Sequence, residues 1–327
     1  MSRNIFHKAA IFLFAFLVAC QPPPDAEFAR VVPSATIEVR AGPSQAELDA
    51  PTQIVVLGTG TPVPDARRAG TSIAVIHKGE AYLFDIGAGS VRNATLARYK
   101  YDIPSLYPSL ICCVFFTHLH SDHTADYVEL AYTLWWRRDR NLRVWGPKGL
   151  QALTDGMYAM MEPDRLLRTG GKQPLPLPDT YKVDVAEISD GMVFDKDGMT
   201  VEAFSVNHGG MKPAYGYRIV TEDKTIVISG DTAYSDKVAE MSRGADILFH
   251  EVISDEGLER VRPDYQPYMR NSHTTASDLA RLASNARPDL LVLIHVLFYG
   301  MPEDFIVEEV RRNYDGKVVL ANDLDRF

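Results

Sequence analysis

Thr117–His118–Leu119–His120–Ser121–Asp122–His123 is the stretch from which the rest of this chain can be read. Three imidazoles and a carboxylate fall within six residues. They follow Leu110–Phe116, an apolar run rich in β-branched and aromatic residues, which predicts a buried strand with the polar cluster on the loop at its end. A loop carried by a rigid sheet can aim several side chains at one point. Imidazole with carboxylate suits Zn²⁺, with Mn²⁺ or Fe as substitutes. One histidine beside an apolar strand is ordinarily a packed or solvated residue. Four such groups at this spacing mark a metal site.

The pattern H-x-H-x-D-H resembles the signature of the metallo-β-lactamase superfamily, and the rest of the chain agrees with it in order. Val201–Val206 is a short apolar run followed by Asn207–His208–Gly209–Gly210. Thr225–Ser229 precedes Gly230–Asp231–Thr232, and Leu290–Ile294 precedes His295. Within the superfamily, the chain is similar to the ribonuclease Z-like and arylsulfatase-like subgroup. The segments that carry this likeness are Leu57–Gly58–Thr59–Gly60–Thr61–Pro62, Leu83–Phe84–Asp85–Ile86–Gly87, Pro213–Ala214–Tyr215–Gly216–Tyr217–Arg218, Leu248–Phe249–His250–Glu251 and His273–Thr274–Thr275–Ala276. The likeness covers about residues 54–296. It implies an α/β fold, the four-layer αββα metallo-β-lactamase sandwich; spacing alone shows only strands alternating with helices.

The resemblance also implies the ligands. His118, His120 and His208 would hold one Zn²⁺, Asp122, His123 and His295 a second, with Asp231 between them. Two metals about 3.5–4 Å apart make water nucleophilic near neutral pH and polarise the oxygen that gains charge. Asp122 would orient or deprotonate the attacking water. His273 is expected to be catalytic rather than a ligand, stabilising the transferred group or protonating the leaving oxygen. His250 is expected to pack or to support a ligand, and Asp85 to orient a histidine or cap a strand. Lys212, close after His208, reads as a solvated side chain.

Arg3 and Lys8 precede the apolar stretch Ala9–Ala19, which is too short to span a bilayer as a helix at roughly 20 residues. It fits a signal peptide. Leu17–Val18–Ala19–Cys20 resembles a bacterial lipobox, with Cys20 lipidated and Gln21–Pro22–Pro23–Pro24 as a tether. The expected layout is therefore 1–19 signal peptide, 20–52 tether or leader, and 53–327 hydrolase domain. The expected location is a lipid-anchored protein on the periplasmic side of the membrane; Gln21 after the cysteine points to the outer membrane.

The chain has 327 residues, 24% charged and 46% hydrophobic, the composition of a soluble globule. Its net charge of −9 becomes −11 once Arg3 and Lys8 leave with the signal. Phosphate contacts usually leave a basic footprint, so no nucleic-acid partner is expected. A homodimer fits the family. Cys112 and Cys113 are adjacent on the expected strand and should point to opposite faces, so no disulfide is expected. Ala125–Arg138 and Ser277–Ala286 read as helices, with Trp135 and Trp136 packed in the core, and Gly170–Asp179 as a surface loop.

Ribonuclease Z enzymes that process transfer RNA carry a protruding arm between the ligands matching His208 and Asp231. Here that interval holds only sheet-like sequence and a turn at Glu222–Asp223. The expected activity is therefore hydrolysis of a small anionic ester, a phosphodiester or aryl sulfate. The alternatives are a ribonuclease Z-type phosphodiesterase or endonuclease, an acyl hydrolase acting on a lactone or β-lactam, and a lipid-tethered binding protein without turnover. The complete ligand set argues against the last.

Overall fold

A computed structural model describes residues 50–171, 175 and 177–327. The expected signal peptide, Cys20 and the expected leader as far as residue 49 lie outside the described residues. Among the described residues, no helix is long and apolar enough to cross a membrane.

Alternation along the strands builds four layers. In β1 (Thr52–Gly58), Ile54 and Val56 face one way and Val55 and Leu57 the other, and all four are fully buried. Ile54 and Val56 join the core between two sheets, where Phe84 and Phe115 meet Tyr217, Ile228 and Phe249. Val55 and Leu57 instead meet Val91, Ala94, Leu130 and Leu150 from helices on the outer face. On the far side, Val227, Leu248, Leu291 and Leu293 pack against Leu279, Ala283, Ile306 and Val310. Burial on both faces explains why these strands read as continuous apolar runs. The architecture is the expected αββα sandwich.

The first sheet has the order β1, β2 (Ser72–His77), β3 (Glu80–Phe84), β4 (Cys113–Phe115), β5 (Leu142–Gly146), β6 (Val183–Glu187). The second comprises β7 (Gly191–Lys196), β8 (Met199–Ser205), β9 (Tyr215–Val220), β10 (Thr225–Ile228), β11 (Ile247–Ile253), β12 (Leu290–Leu297) and β13 (Val318–Leu320), side by side in sequence order. From β3 to β6 and from β10 to β13 the pairing is parallel. The segments after β3, β4, β8 and β10 bear the candidate ligands and their supports, as open α/β sheets place function beyond strand carboxyl ends. β9 and β10 form a tight hairpin closed by Thr221 N–H on the Lys224 carbonyl, so no arm protrudes between His208 and Asp231.

Tertiary contacts overrule local pattern in three places. The expected strand Leu110–Phe116 pairs only over Cys113–Phe115, and Leu110 is 47% exposed. The expected helix over 125–138 breaks into Tyr127–Tyr132 and a 3₁₀ turn at Trp135–Arg137, separated by Leu134 at φ 51°. Just beyond it, the buried Arg138 guanidinium donates to the carbonyls of Ile111, Pro108 and Leu130, and those bonds fix the chain off the helical path. Trp135 is fully buried and Trp136 packs beside it. Cys112 and Cys113 form a disulfide, contrary to the expectation of two thiols on opposite faces. The strand begins only at Cys113, so Cys112 escapes the alternation and both enter the core between the sheets. The helix Ala276–Ala286 matches its expected span within a residue, with Thr275 Oγ1 capping the Asp278 N–H.

Gly87 explains the Asp85–Ile86–Gly87 motif. A Cβ there would lie 2.1 Å from the Asp122 carbonyl oxygen, so only glycine lets the two segments meet. Gly87→Ala is expected to destabilise the fold by about 1–3 kcal/mol, as overpacking does. A lowered urea midpoint at unchanged slope would show it.

Candidate metal centre

Two triads of ligand atoms meet at one aspartate. His118 Nε2 lies 3.0 Å from His120 Nδ1, and His208 Nε2 lies 3.1 Å from the same atom. Zinc–nitrogen bonds of about 2.0–2.1 Å in tetrahedral geometry imply nitrogen–nitrogen edges near 3.3 Å, so this triangle has the size of a metal face. Asp122 Oδ2 lies 3.1 Å from His295 Nε2 and 3.5 Å from His123 Nε2. Asp231 Oδ2 stands 3.9 and 3.8 Å from the His118 and His208 nitrogens and 3.4 Å from His295 Nε2. Its Oδ1 is 3.5 Å from His123 Nε2. Every group predicted from sequence as a ligand is thus in one cluster, and all but the half-buried His120 are buried.

The surroundings set which nitrogen of His118, His208 and His123 faces the cluster. Thr117 Oγ1 donates to Asp85 Oδ2 at 2.7 Å, so its lone pair accepts the His118 Nδ1 proton at 3.0 Å and Nε2 keeps its own lone pair. His208 Nδ1 donates to the Ser272 carbonyl at 2.7 Å. His123 Nδ1 donates to Asp85 Oδ2 at 2.8 Å, leaving a buried Nε2 with no hydrogen-bond partner. Such outer partners orient imidazoles toward a cation. The His123 Nε2 nitrogen, 3.5 Å from the Asp122 and Asp231 carboxylates, is where a bound cation would replace a proton, and the donor set fits a pair of ions.

Asp85 fulfils the orienting role: Oδ1 also accepts the Thr117 N–H at 2.8 Å. Asp85→Asn is expected to lower metal affinity about 10–100-fold, the usual cost of losing such a partner. Competition with a chromogenic chelator would measure it.

Backbone irregularity aims the remaining ligands. β12 carries a bulge in which Glu251 pairs with Ile294 and Val252 with Val296, so His295 is the extra residue. It sits inside the strand at φ 44°, where the run was expected to have ended, and its N–H goes to the Thr59 carbonyl at 3.1 Å. Gly230 precedes Asp231 at φ 60°, and a Cβ there would lie 2.6 Å from the Tyr215 carbonyl oxygen.

Charge is divided across the cluster. Burial pushes His118 well below the usual histidine range and lowers His120 and His208 too, favouring neutral, ligating rings. Burial also opposes a charge on His123, but the Asp231 and Asp85 carboxylates outweigh it and hold the pKa well above its ordinary value. Burial would raise Asp231, yet His295 and His123 draw it well below the usual carboxylate range. Asp122 is lowered likewise, the bond to His295 prevailing over burial.

His273 lies at the edge of both triads. Its ring centroid is 4.9 Å from that of His208 and 5.8 Å from that of His295. Nδ1 is 3.4 Å from Glu251 Oε1, which accepts the Thr274 N–H at 2.9 Å and the Thr232 N–H at 3.2 Å. Burial disfavours the imidazolium, but Glu251 dominates and raises the His273 pKa to about 9. The role of Glu251 was missed in the sequence. Its signal was an acidic residue inside an apolar strand, where an unpaired charge is rarely tolerated. His250 is buried with Nδ1 on the Glu251 carbonyl, and Lys212 is exposed.

A beta-lactamase superfamily domain model matches residues 82–296, which contain every one of these candidate ligands. The chain belongs to the metallo-β-lactamase superfamily. It is 31% identical over 248 residues to a ribonuclease Z of Mycobacterium sp. (strain KMS), spanning 75% of this chain and 84% of that one. A ribonuclease Z of Mycolicibacterium gilvum is 28% identical over 281 residues, 84% of this chain and 95% of the relative. Among solved structures, the superfamily protein YhfI from Bacillus subtilis superposes with a TM-score of 0.63 at 19% identity, covering 85% of this chain and all of its own. The short form of human tRNase Z gives 0.58 at 22% identity, over 84% and 98%. These two structures share the superfamily fold.

Proposed function

We propose that this member of the superfamily is a dinuclear, zinc-dependent phosphodiesterase of ribonuclease Z type. The observation that carries the reading is the pair of ligand triads sharing Asp231 in a chain whose relatives are named ribonuclease Z. Those relatives favour a phosphodiester over the aryl sulfate that the sequence left equally open.

Two bound zinc ions would supply a nucleophile from water at neutral pH and draw charge from the ester oxygens. His118, His120 and His208 would hold one, and Asp122, His123 and His295 the other, with Asp231 shared. Asp122, beside His123 and His295 in the second triad, would orient the attacking water. His273, protonated through Glu251, gives its proton to the leaving oxygen as the phosphorus–oxygen bond breaks, and water restores it. The tight β9–β10 hairpin favours a diester gripped at the centre itself over one held by a distant arm. The signal peptide, acylated Cys20 and outer-membrane anchorage belong to this proposal as its cellular setting.

A hydrolysis panel on the purified protein, with zinc content measured in the same sample, tests the reading. Bis-p-nitrophenyl phosphate and a precursor transfer RNA stand against p-nitrophenyl sulfate, a lactone and a chromogenic β-lactam. Phosphodiester turnover with two metals per chain is the expected result. Turnover confined to the sulfate, lactone or β-lactam would overturn it.

A further inference from the structure

A cleft of about 310 Å³ opens between the loop at 59–68 and the end of β12 at 296–300. It borders the backbone that carries a candidate ligand: Thr59 and Val296 line it, and the N–H of His295, next to Val296, donates to the Thr59 carbonyl. Its volume is at the lower end of the roughly 300–1,000 Å³ typical of ligand pockets.

The wall chemistry selects the occupant. Phe298 and Tyr299 present aromatic surface, and Val63 stands at the mouth, 70% exposed. The charges in the wall are already paired. Arg68 donates to Glu303 Oε2 at 2.8 Å, to Thr59 Oγ1 at 2.7 Å and to the Ala321 carbonyl at 3.0 Å, with its guanidinium 5.7 Å from the Phe298 ring centroid. Asp65 is bound by Arg67 at 3.0 Å. A second anionic group would find no uncompensated cation there, whereas a flat, uncharged ring finds aromatic faces. The wall is also pre-set. Asp323 Oδ1 holds the amide and hydroxyl of Thr59 at 3.0 and 2.8 Å, and Tyr299 keeps a left-handed backbone at φ 47°, which persists only where its surroundings impose it.

We infer that this cleft is the subsite for an aromatic substituent of the substrate, a nucleobase or aryl ring, whose phosphate occupies the metal centre. The inference rests on the phosphodiesterase reading and adds the class of substituent. Stacking on such rings contributes about tenfold in affinity per base.

Calorimetric titration of the zinc-loaded full chain with phenyl phosphate and with methyl phosphate tests it. Phenyl phosphate is expected to bind about tenfold tighter. Phe298→Ala and Tyr299→Ala should bring the ratio close to one without changing methyl phosphate binding. Val63→Trp, at an exposed position where folding is not at stake, should do the same by filling the mouth. Equal affinities in the unaltered chain, or a ratio that survives all three substitutions, would overturn the inference. A tenfold ratio in the unaltered chain that the substitutions abolish, in a protein that hydrolyses no diester, would instead overturn the phosphodiesterase reading and leave the cleft standing as an aryl site.

Discussion

Asp231→Ala is expected to abolish turnover and to leave the purified protein short of its metal pair. One oxygen of this carboxylate faces His118, His208 and His295, and the other faces His123. Removing it takes the shared anion from both triads and leaves buried imidazoles converging with less negative charge to offset two cations. Loss of an outer partner costs a metal site about 10–100-fold in affinity, and a shared inner ligand should cost at least the upper figure. Metal content by mass spectrometry and diesterase rate are to be read on one sample. Full activity with two metals would show that Asp231 does not lie between the ions. Because Gly230 permits the turn that delivers the carboxylate, thermal unfolding of the variant should be followed beside the assay.

His273→Ala should behave in the opposite way, keeping both metals and losing rate by about 10²–10⁴-fold, the range for a positioned acid or base. The distinction matters because His273 stands close enough to His208 and Asp231, and to Glu251 and His295, to be mistaken for a ligand. A variant that lost metal would make it one. Its proton depends on Glu251. In the metal-free protein His273 should titrate near 9, following burial opposed by the stronger Glu251 carboxylate. Its folded value lies above the unfolded value near 6.5, so the stability it contributes is full below about pH 6.5 and is lost as pH rises through about 9. Glu251→Gln should move the midpoint down, which a ring-proton titration by NMR would detect. An unmoved midpoint would separate Glu251 from any part in setting the charge of His273.

The ligand set was legible because metal binding needs particular side chains, and those are written directly in the chain. His118, His120, Asp122 and His123 declare themselves by spacing, while His208, Asp231 and His295 each stand at or after an apolar run whose length and composition mark a strand. That a strand would be buried before each ligand was legible too, because apolar runs such as Leu290–Ile294 are costly to expose. What depended on long-range contact was not. Nothing local says that Arg138 will reach back to Pro108 and Ile111 and break a helix, or that pairing will begin only at Cys113 and leave the two cysteines free to join. The bulge at His295 arises from its register with Glu251 and Val252, a property of two strands and not of one. Glu251 and Asp85 acquire their roles from His273 and His123, 22 and 38 residues away in the chain. The aromatic cleft joins residues near 60 to residues near 300. The sequence by itself determined which atoms could bind metal and which surfaces must be buried, because those follow from side-chain chemistry. Only the tertiary structure decided where each ring points, which acid holds its proton and what shape lies beside the metals, because those are set by distances between segments that meet only on folding.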